Sequence, residues 1–185
     1  MARVRDVTPG EVAEELRDTY ERYANGYASF RNQVGVFAHV PTSVKHLMGM
    51  LLELREQKNL PYRLVELAVL AVSKLNQCDY CVGHHKPLLV VEGISPEGAD
   101  TILDYKTHPE LNEVDKLVVE YAVAVTNAPQ KIRDNVFERL RAHFSEAQIV
   151  ELTLRISLCG FFNRFNDALQ VEDEPSALAE ASAGG

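Results

Sequence analysis

The apolar residues of this chain follow the spacing of helices. One set recurs every four residues and forms a single stripe: Val12, Leu16, Tyr20 and Ala24. Thr8 as N-cap, Pro9 at the first helical position and Glu11 in a capping box predict where this first helix opens. A second amphipathic face follows, made of Val44, Leu47, Met48, Leu51 and Leu52. Strand signals are nearly absent.

The segment 61–76 is apolar on almost every side, which predicts a helix that is buried all round. Ser95 followed by Pro96 predicts the start of a further helix, and two more are predicted over 112–125 and 130–144. The last helix is predicted to begin at a capping box on Ser145 and to run to about Leu169. The predicted fold class is therefore all-α, a compact helical bundle.

The length of 185 residues favours one domain, which we assign to residues 1–172. The small, unpatterned residues 173–185 predict a disordered tail. The formal net charge of −8 argues against a nucleic-acid partner, because a phosphate-binding surface needs a basic patch. Neither a secretory signal nor a membrane-spanning run is visible, so the predicted location is the cytoplasm, with no membrane partner.

Three cysteines in that reducing compartment do not predict a structural disulfide framework; a close pair there is typical of metal binding or catalysis. The pair lies in LNQCDYCVGHHKP, residues 75–87. If the chain is helical from about Asp79, Cys81 and His85 lie one turn apart on the same face. Cys78 comes three residues before Cys81, close enough for a disulfide.

A helix N-terminus, a neighbouring imidazole and a second thiol all favour a thiolate at this position. A thiolate beside a second thiol can reduce peroxide, because one sulfur becomes a sulfenic acid and the other condenses with it to a disulfide. We predict that Cys81 attacks and Cys78 resolves, since His85 is nearer Cys81. Glu66 lies in the apolar segment and needs a proton or a partner if it is buried. Either it polarises His85, directly or through water, or it pairs with Arg63 one turn earlier.

Three other interpretations of the cysteines are less favoured. Zinc would draw on Cys78, Cys81, His84 and His85, but adjacent histidines on a helix point about 100° apart and do not converge easily with both sulfurs. A thioredoxin-like oxidoreductase needs a βαβ context, which is missing. Burial as small core hydrophobes is the third interpretation, and it is the one that we favour for Cys159 in its apolar run.

The combination of Glu66, Cys78, Tyr80, Cys81 and His85 resembles the E…CxxCxxxH signature of alkyl hydroperoxidase D-like proteins in the carboxymuconolactone decarboxylase superfamily. The resemblance covers most of residues 40–172. It implies an all-α fold that assembles as trimers or hexamers, and a peroxidase for organic hydroperoxides. In such an enzyme the position of Cys81 attacks, that of Cys78 resolves, and Glu66 and His85 relay protons through water.

The resemblance further implies a dithiol reductant, such as a lipoylated or thioredoxin-like protein, and no metal, haem or flavin cofactor. Tyr80, which stands where some peroxidase members carry histidine, and His84 are secondary site candidates. The decarboxylase branch of the superfamily generally lacks the cysteine pair, which favours peroxidase over lactone decarboxylase activity. A redox sensor without fast peroxide turnover remains an alternative, and steady-state turnover separates the two.

Two further expectations concern Pro87 and the polar side chains of the last helix. Pro87 removes a backbone donor and is expected to kink or end the helix just beyond His85. The last helix is largely apolar but carries four polar side chains, for which inter-subunit salt bridges and a solvated face are both open: Arg155, Asn163, Arg164 and Asp167.

Overall fold

All regular structure in the described residues is helical. The computed structural model describes residues 2–26 and 30–174. These residues fall into two compact units, one formed by residues up to 56 together with those from 169 onward, the other by residues 57–168. The all-α prediction is therefore confirmed, whereas the single-domain boundary of 1–172 stays a prediction. Within the predicted tail, residues 175–185 lie outside the described residues.

The first unit contains short helices and one π-helical turn. Its elements are α1 (Glu14–Gly26), α2 (Arg31–Phe37), α3 (Pro41–Ser43), a π turn (Val44–Met48) and α4 (Gly49–Gln57). The capping box of Thr8 and Glu11 is present, but it holds a separate 3₁₀ turn, Pro9–Glu11, and α1 begins only at Glu14. The predicted stripe is nevertheless buried throughout, from Val12 to Ala24. Helix α1 packs against α2 and the π turn.

The second unit contains the longer helices. They are α5 (Tyr62–Leu75), α6 (Asp79–Val91), α7 (Pro96–Asp100), α8 (Glu113–Asn127), α9 (Asp134–Arg141) and α10 (Glu146–Leu169), with 3₁₀ turns at Ile102–Asp104 and Pro129–Lys131. The predicted caps are present. Ser95 Oγ accepts from the Gly98 N–H at 2.9 Å, and Ser145 and Gln148 exchange side chain-to-backbone hydrogen bonds. Helix α10 ends at Leu169, as predicted.

Helix α5 is the centre of the second unit. Every residue from 64 to 73 is buried, and the helix packs against both α6 and α8. A helix enclosed in this way has no solvent-facing side, which is why its sequence shows no polar stripe. The prediction of a helix that is buried all round is confirmed, and any polar side chain on α5 must find its partner inside the protein.

Of the two expected effects of Pro87, a kink or an end of α6, the end was wrong. Helix α6 continues past it to Val91. Proline cannot donate to the carbonyl of Gly83 four residues earlier, but both residues are exposed, so water can reach that carbonyl. The helix therefore does not end at this point.

Two further observations bear on the expectations above. In the part of the chain that the structure describes, no helix is both long and apolar enough to cross a bilayer. The polar residues of α10 are largely satisfied within the second unit: Arg155 pairs with Glu151 at 3.2 Å, and Asn163 is buried and accepts from Asn76 Nδ2 at 2.8 Å.

Candidate functional site

A tight turn between α5 and α6 positions the cysteine pair. Gln77 takes a left-handed conformation with φ of 57°. The N–H of Gln77 donates to the Lys74 carbonyl at 3.2 Å, and that of Cys78 to the Ser73 carbonyl at 3.0 Å. This is the Schellman pattern of a helix C-terminus. Because Cys78 ends this pattern and is also the N-cap of α6, the next helix starts at once and Cys81 falls in its first turn.

The same turn brings Glu66 and His85 together. Two consecutive helices joined by a short turn pack side by side, so residues about equally far from the turn face each other. Glu66, 11 residues before Gln77, and His85, eight residues after it, meet across the two helices, with Glu66 Oε2 2.8 Å from His85 Nδ1. The Glu66 side chain is fully buried, whereas that of His85 keeps 13% of its surface exposed. The pair therefore joins the interior of α5 to a side chain that solvent still reaches.

The alternative partner for Glu66 was wrong. Arg63 instead pairs with the buried Asp115 of α8, with Nη2 to Oδ2 at 2.9 Å. Its remaining donors go to the backbone carbonyls of Glu92 and Glu110. Arg63 and Glu66 lie on one helix but turn to different neighbours, because α6 and α8 cover different sides of α5.

Both sulfurs of the pair are buried. Cys78 has no exposed surface and Cys81 has 2%. The pKa of Cys78 is raised well above its ordinary value, first by hydrogen bonding with the Cys81 sulfur, then by burial, by the charge of Cys81 and, more weakly, by the Asp167 side chain. Cys78 therefore holds its proton.

Helix α10 contributes a residue that the sequence reasoning missed. The side-chain amide of Asn166, which is buried, donates from Nδ2 to Cys81 Sγ at 3.3 Å. An asparagine in the last two turns of a largely apolar helix is a signal, since a buried amide needs partners. The sequence does not show that its partner is a sulfur 85 residues away.

Cys159 lies in the core, as predicted. Its sulfur is 3.3 Å from Ser73 Oγ and 3.4 Å from the Val69 carbonyl oxygen. Burial is the largest cause that raises the pKa of Cys159, to about 12. A thiol held neutral in this way is a poor nucleophile.

The secondary candidates Tyr80 and His84 pair with each other. Their ring centroids are 4.2 Å apart, and His84 Nδ1 lies 2.7 Å from the Tyr80 carbonyl oxygen. Among the described residues, no group of three or more His, Cys, Asp or Glu side chains is arranged to hold a metal ion. The four principal candidates, by contrast, all lie on α5, on α6 or at the turn between them.

Comparisons with known proteins agree with this fold. Residues 41–105 match the model of the carboxymuconolactone decarboxylase family. The uncharacterized protein YnjA of Escherichia coli K12 is 26% identical over 128 residues, which cover 68% of this chain and 70% of YnjA.

Two solved structures show the same fold. The alkylhydroperoxidase AhpD core of an uncharacterized peroxidase-related protein from Ralstonia eutropha JMP134 superposes with a TM-score of 0.81 at 20% identity, over 94% of this chain and 92% of that one. The debrominase Bmp8, in complex with 2,3,4-tribromopyrrole, gives a TM-score of 0.77 at 20% identity, over 98% and 95%. Residues 41–105 thus resemble the carboxymuconolactone decarboxylase family, and the described chain has the fold of AhpD-like proteins.

Proposed function

We propose that this protein is a two-cysteine thiol peroxidase that reduces organic hydroperoxides. The observation that carries the proposal is the buried Glu66–His85 pair, one helical turn beyond Cys81. A buried carboxylate that contacts an imidazole at 2.8 Å orients the ring and stabilises its protonated form. An acid–base pair in this position can take a proton from Cys81 and return it later in the cycle.

The first step is attack by the Cys81 thiolate on the terminal oxygen of the hydroperoxide. An S–O bond forms and the O–O bond breaks, so that sulfur is oxidised by two electrons and the peroxide is reduced. His85, with its Nδ1 proton held by Glu66, has accepted the thiol proton at Nε2. It gives this proton to the departing alkoxide, which leaves as an alcohol. Cys81 is now a sulfenic acid.

The second step forms the disulfide. The sulfur of Cys78 attacks Cys81, the S–S bond forms, the S–O bond breaks, and water leaves with the Cys78 proton. Before the first step the raised pKa of Cys78 keeps this thiol protonated, so that it does not compete for peroxide. Oxidation of Cys81 removes the charge of Cys81, one of the causes of the raised pKa, which makes the Cys78 thiol easier to deprotonate for the second step. A dithiol then reduces the disulfide by two thiol–disulfide exchanges and is itself oxidised to a disulfide.

Burial of both sulfurs restricts the reductant. With 2% of Cys81 and none of Cys78 exposed, a flat protein surface cannot reach the disulfide without opening the cover. A dithiol on a long, narrow arm, such as a lipoyl group, needs a smaller opening than a folded thioredoxin-like partner. The lipoyl arm is therefore the reductant that we favour.

Steady-state turnover tests the proposal. We expect the protein to consume cumene hydroperoxide with dihydrolipoamide as reductant, and Cys81→Ser to abolish consumption. Cys78→Ser should turn over far more slowly, because the sulfenic acid has lost its internal partner. Cys159→Ser is the control for loss of a thiol, since that thiol contacts Ser73 and the Val69 carbonyl, and it should leave the rate unchanged.

Two outcomes would contradict the proposal. Turnover that survives in Cys81→Ser would show that another group attacks the peroxide. A wild-type protein that forms the Cys78–Cys81 disulfide once and is not reduced by dihydrolipoamide or by a thioredoxin would be a redox sensor, the alternative kept open above.

A further inference from the structure

The side-chain amide of Asn166 contacts one sulfur of the cysteine pair. Its Nδ2 lies 3.3 Å from Cys81 Sγ, within hydrogen-bond range for sulfur. The side chain is 1% exposed, so the amide contacts protein rather than bulk water. It comes from α10, whereas Glu66 and the cysteines come from the α5–α6 pair.

An amide N–H aimed at a sulfur favours the charged form of that sulfur. A thiolate accepts hydrogen bonds strongly and a thiol only weakly, so a fixed donor stabilises the anion more than the neutral group. The effect is larger where water is excluded, because no solvent competes for the sulfur. Cys81 is buried, so water cannot readily replace the amide as a donor.

We propose that Asn166 is a catalytic residue of the thiol chemistry, whose amide holds the negative charge on Cys81 and thereby makes this cysteine the nucleophile. The inference rests on the proposed function for its catalytic meaning, but thiolate formation at Cys81 can be measured without peroxide. After attack, the same donor faces the sulfur of the sulfenic acid. Asn166 is thus a fixed neutral donor, whereas His85 exchanges a proton.

The elements that carry the site also hold charged and titratable groups. Helix α5 contributes Glu66 and helix α6 contributes His85, which bind each other. Cys78 at the N-cap keeps its proton, and Asp167 of α10 adds a carboxylate on the side of Cys78. The carboxylates of Glu66 and Asp167 disfavour a negative charge on a nearby sulfur. The Asn166 amide favours that charge at Cys81 without adding charge of its own.

The test is the pH dependence of Cys81 alkylation, measured without peroxide. Reduced protein is treated with iodoacetamide between pH 5 and 10, and the rate at each cysteine is read from its peptide by mass spectrometry. The midpoint of the profile reports thiolate formation, whereas the plateau rate reports access to the sulfur. The variants are Asn166→Ala and Asn166→Asp, with Asn163→Ala as control, since Asn163 is equally buried one turn earlier on α10.

We expect the Cys81 midpoint to rise by about one to two pH units in Asn166→Ala, the size of one hydrogen bond to a charged group. Asn166→Asp should raise it at least as far, because a carboxylate replaces a donor. Asn163→Ala should keep the wild-type midpoint. Since Asn166→Asp preserves the shape of the side chain, it keeps the test valid if the alanine variant is poorly folded by thermal melting.

Wild-type midpoints in both Asn166 variants would overturn the inference, even if their plateau rates change, because only packing would then be affected. Peroxide turnover is a separate measurement. A raised midpoint in a protein that does not consume hydroperoxide would overturn the proposed function and leave Asn166 as the group that stabilises the thiolate.

Discussion

Helix α5 contributes one side chain to each of two ion pairs, and each pair contains a buried carboxylate. The two pairs differ in the chemistry of the cationic partner. Asp115, which is 1% exposed, pairs with Arg63, and Glu66, which is fully buried, pairs with His85. A guanidinium stays charged at all accessible pH values, whereas an imidazole gains and loses a proton near neutrality. One pair is therefore a fixed link between α5 and α8, and the other can move a proton.

The surroundings of the two pairs agree with this difference. Arg63 also donates to two backbone carbonyls, and Asp115 closes the capping box of Asn112 at the start of α8. These contacts hold chain segments in place. The Glu66–His85 pair instead lies beside Cys81, at the only position in the described residues where two cysteines are three residues apart. Burial alone does not identify a catalytic carboxylate; the identity of its partner does.

The largest effect is expected from Glu66→Gln. The amide keeps the size of the side chain and its oxygen can still accept from His85 Nδ1, but it has no negative charge to stabilise the imidazolium. Peroxide turnover should fall about 10²–10⁴-fold, the usual contribution of a positioned acid–base group. Thermal melting should change little. Wild-type turnover in this variant would place Glu66 with Asp115 among the structural carboxylates.

Arg63→Met is the complementary change, because it leaves Asp115 buried without its cation. We expect the free energy of unfolding to fall by about 3–5 kcal/mol in urea titrations. Turnover per folded molecule should stay within about twofold of wild type. Arg63→Lys, which keeps the charge but loses the planar fork, should be intermediate in stability. A selective loss of turnover with unchanged stability would reverse the roles of the two pairs.

A double variant sharpens the comparison. If Glu66 and His85 act as one unit, Glu66→Gln combined with His85→Asn should be no more than about tenfold slower than the slower single variant. Independent groups would instead multiply their losses. Steady-state rates of the four proteins under one set of conditions give the answer.

The smallest effect concerns the third thiol and pH. The folded-state pKa of Cys159 is raised to about 12, whereas an unfolded cysteine has a pKa of about 8.5. Below the unfolded value both states hold the proton, so stability is constant there. As the pH rises from about 9 towards 12, only the unfolded chain loses it, and stability falls by up to about 1.4 kcal/mol per pH unit.

Cys159→Ser removes this titrating group. The variant should therefore lose melting temperature less steeply than wild type between pH 9 and 11. Ser157→Ala, an exposed change on the same helix, is the control and should keep the wild-type slope. Equal slopes in all three proteins would mean that Cys159 ionises as readily in the folded protein as in the unfolded chain.

Local signals in the sequence were sufficient for the helices and for half of the site. Capping residues fix helix starts within a few positions, and helix spacing places Cys81 and His85 one turn apart. For Glu66 the sequence left two partners open, His85 and Arg63. The partners of Arg63 and Cys81 were not predictable in this way. Asp115 and Asn166 come from α8 and α10, and only tertiary packing decides which faces of these helices meet α5 and α6.

Pro87 is a second case in which a local property of the sequence did not decide the outcome. Its missing N–H is a local property that predicts a break in α6. Whether the freed Gly83 carbonyl is satisfied depends on solvent exposure, which is a property of the folded unit. The prediction failed because the cost of a proline in a helix is smaller where water can reach the carbonyl that it leaves unbonded.

The central claim is that the sulfur of Cys81 is the atom that reacts with the peroxide. One equivalent of cumene hydroperoxide is added to the reduced protein, and the intact mass is read before and after thiol alkylation. We predict that wild type loses two hydrogens and both motif thiols, that Cys78→Ser gains one oxygen on Cys81, and that Cys81→Ser is unchanged. An oxygen on Cys78 in Cys81→Ser, or a wild-type mass that peroxide does not alter, would contradict the account.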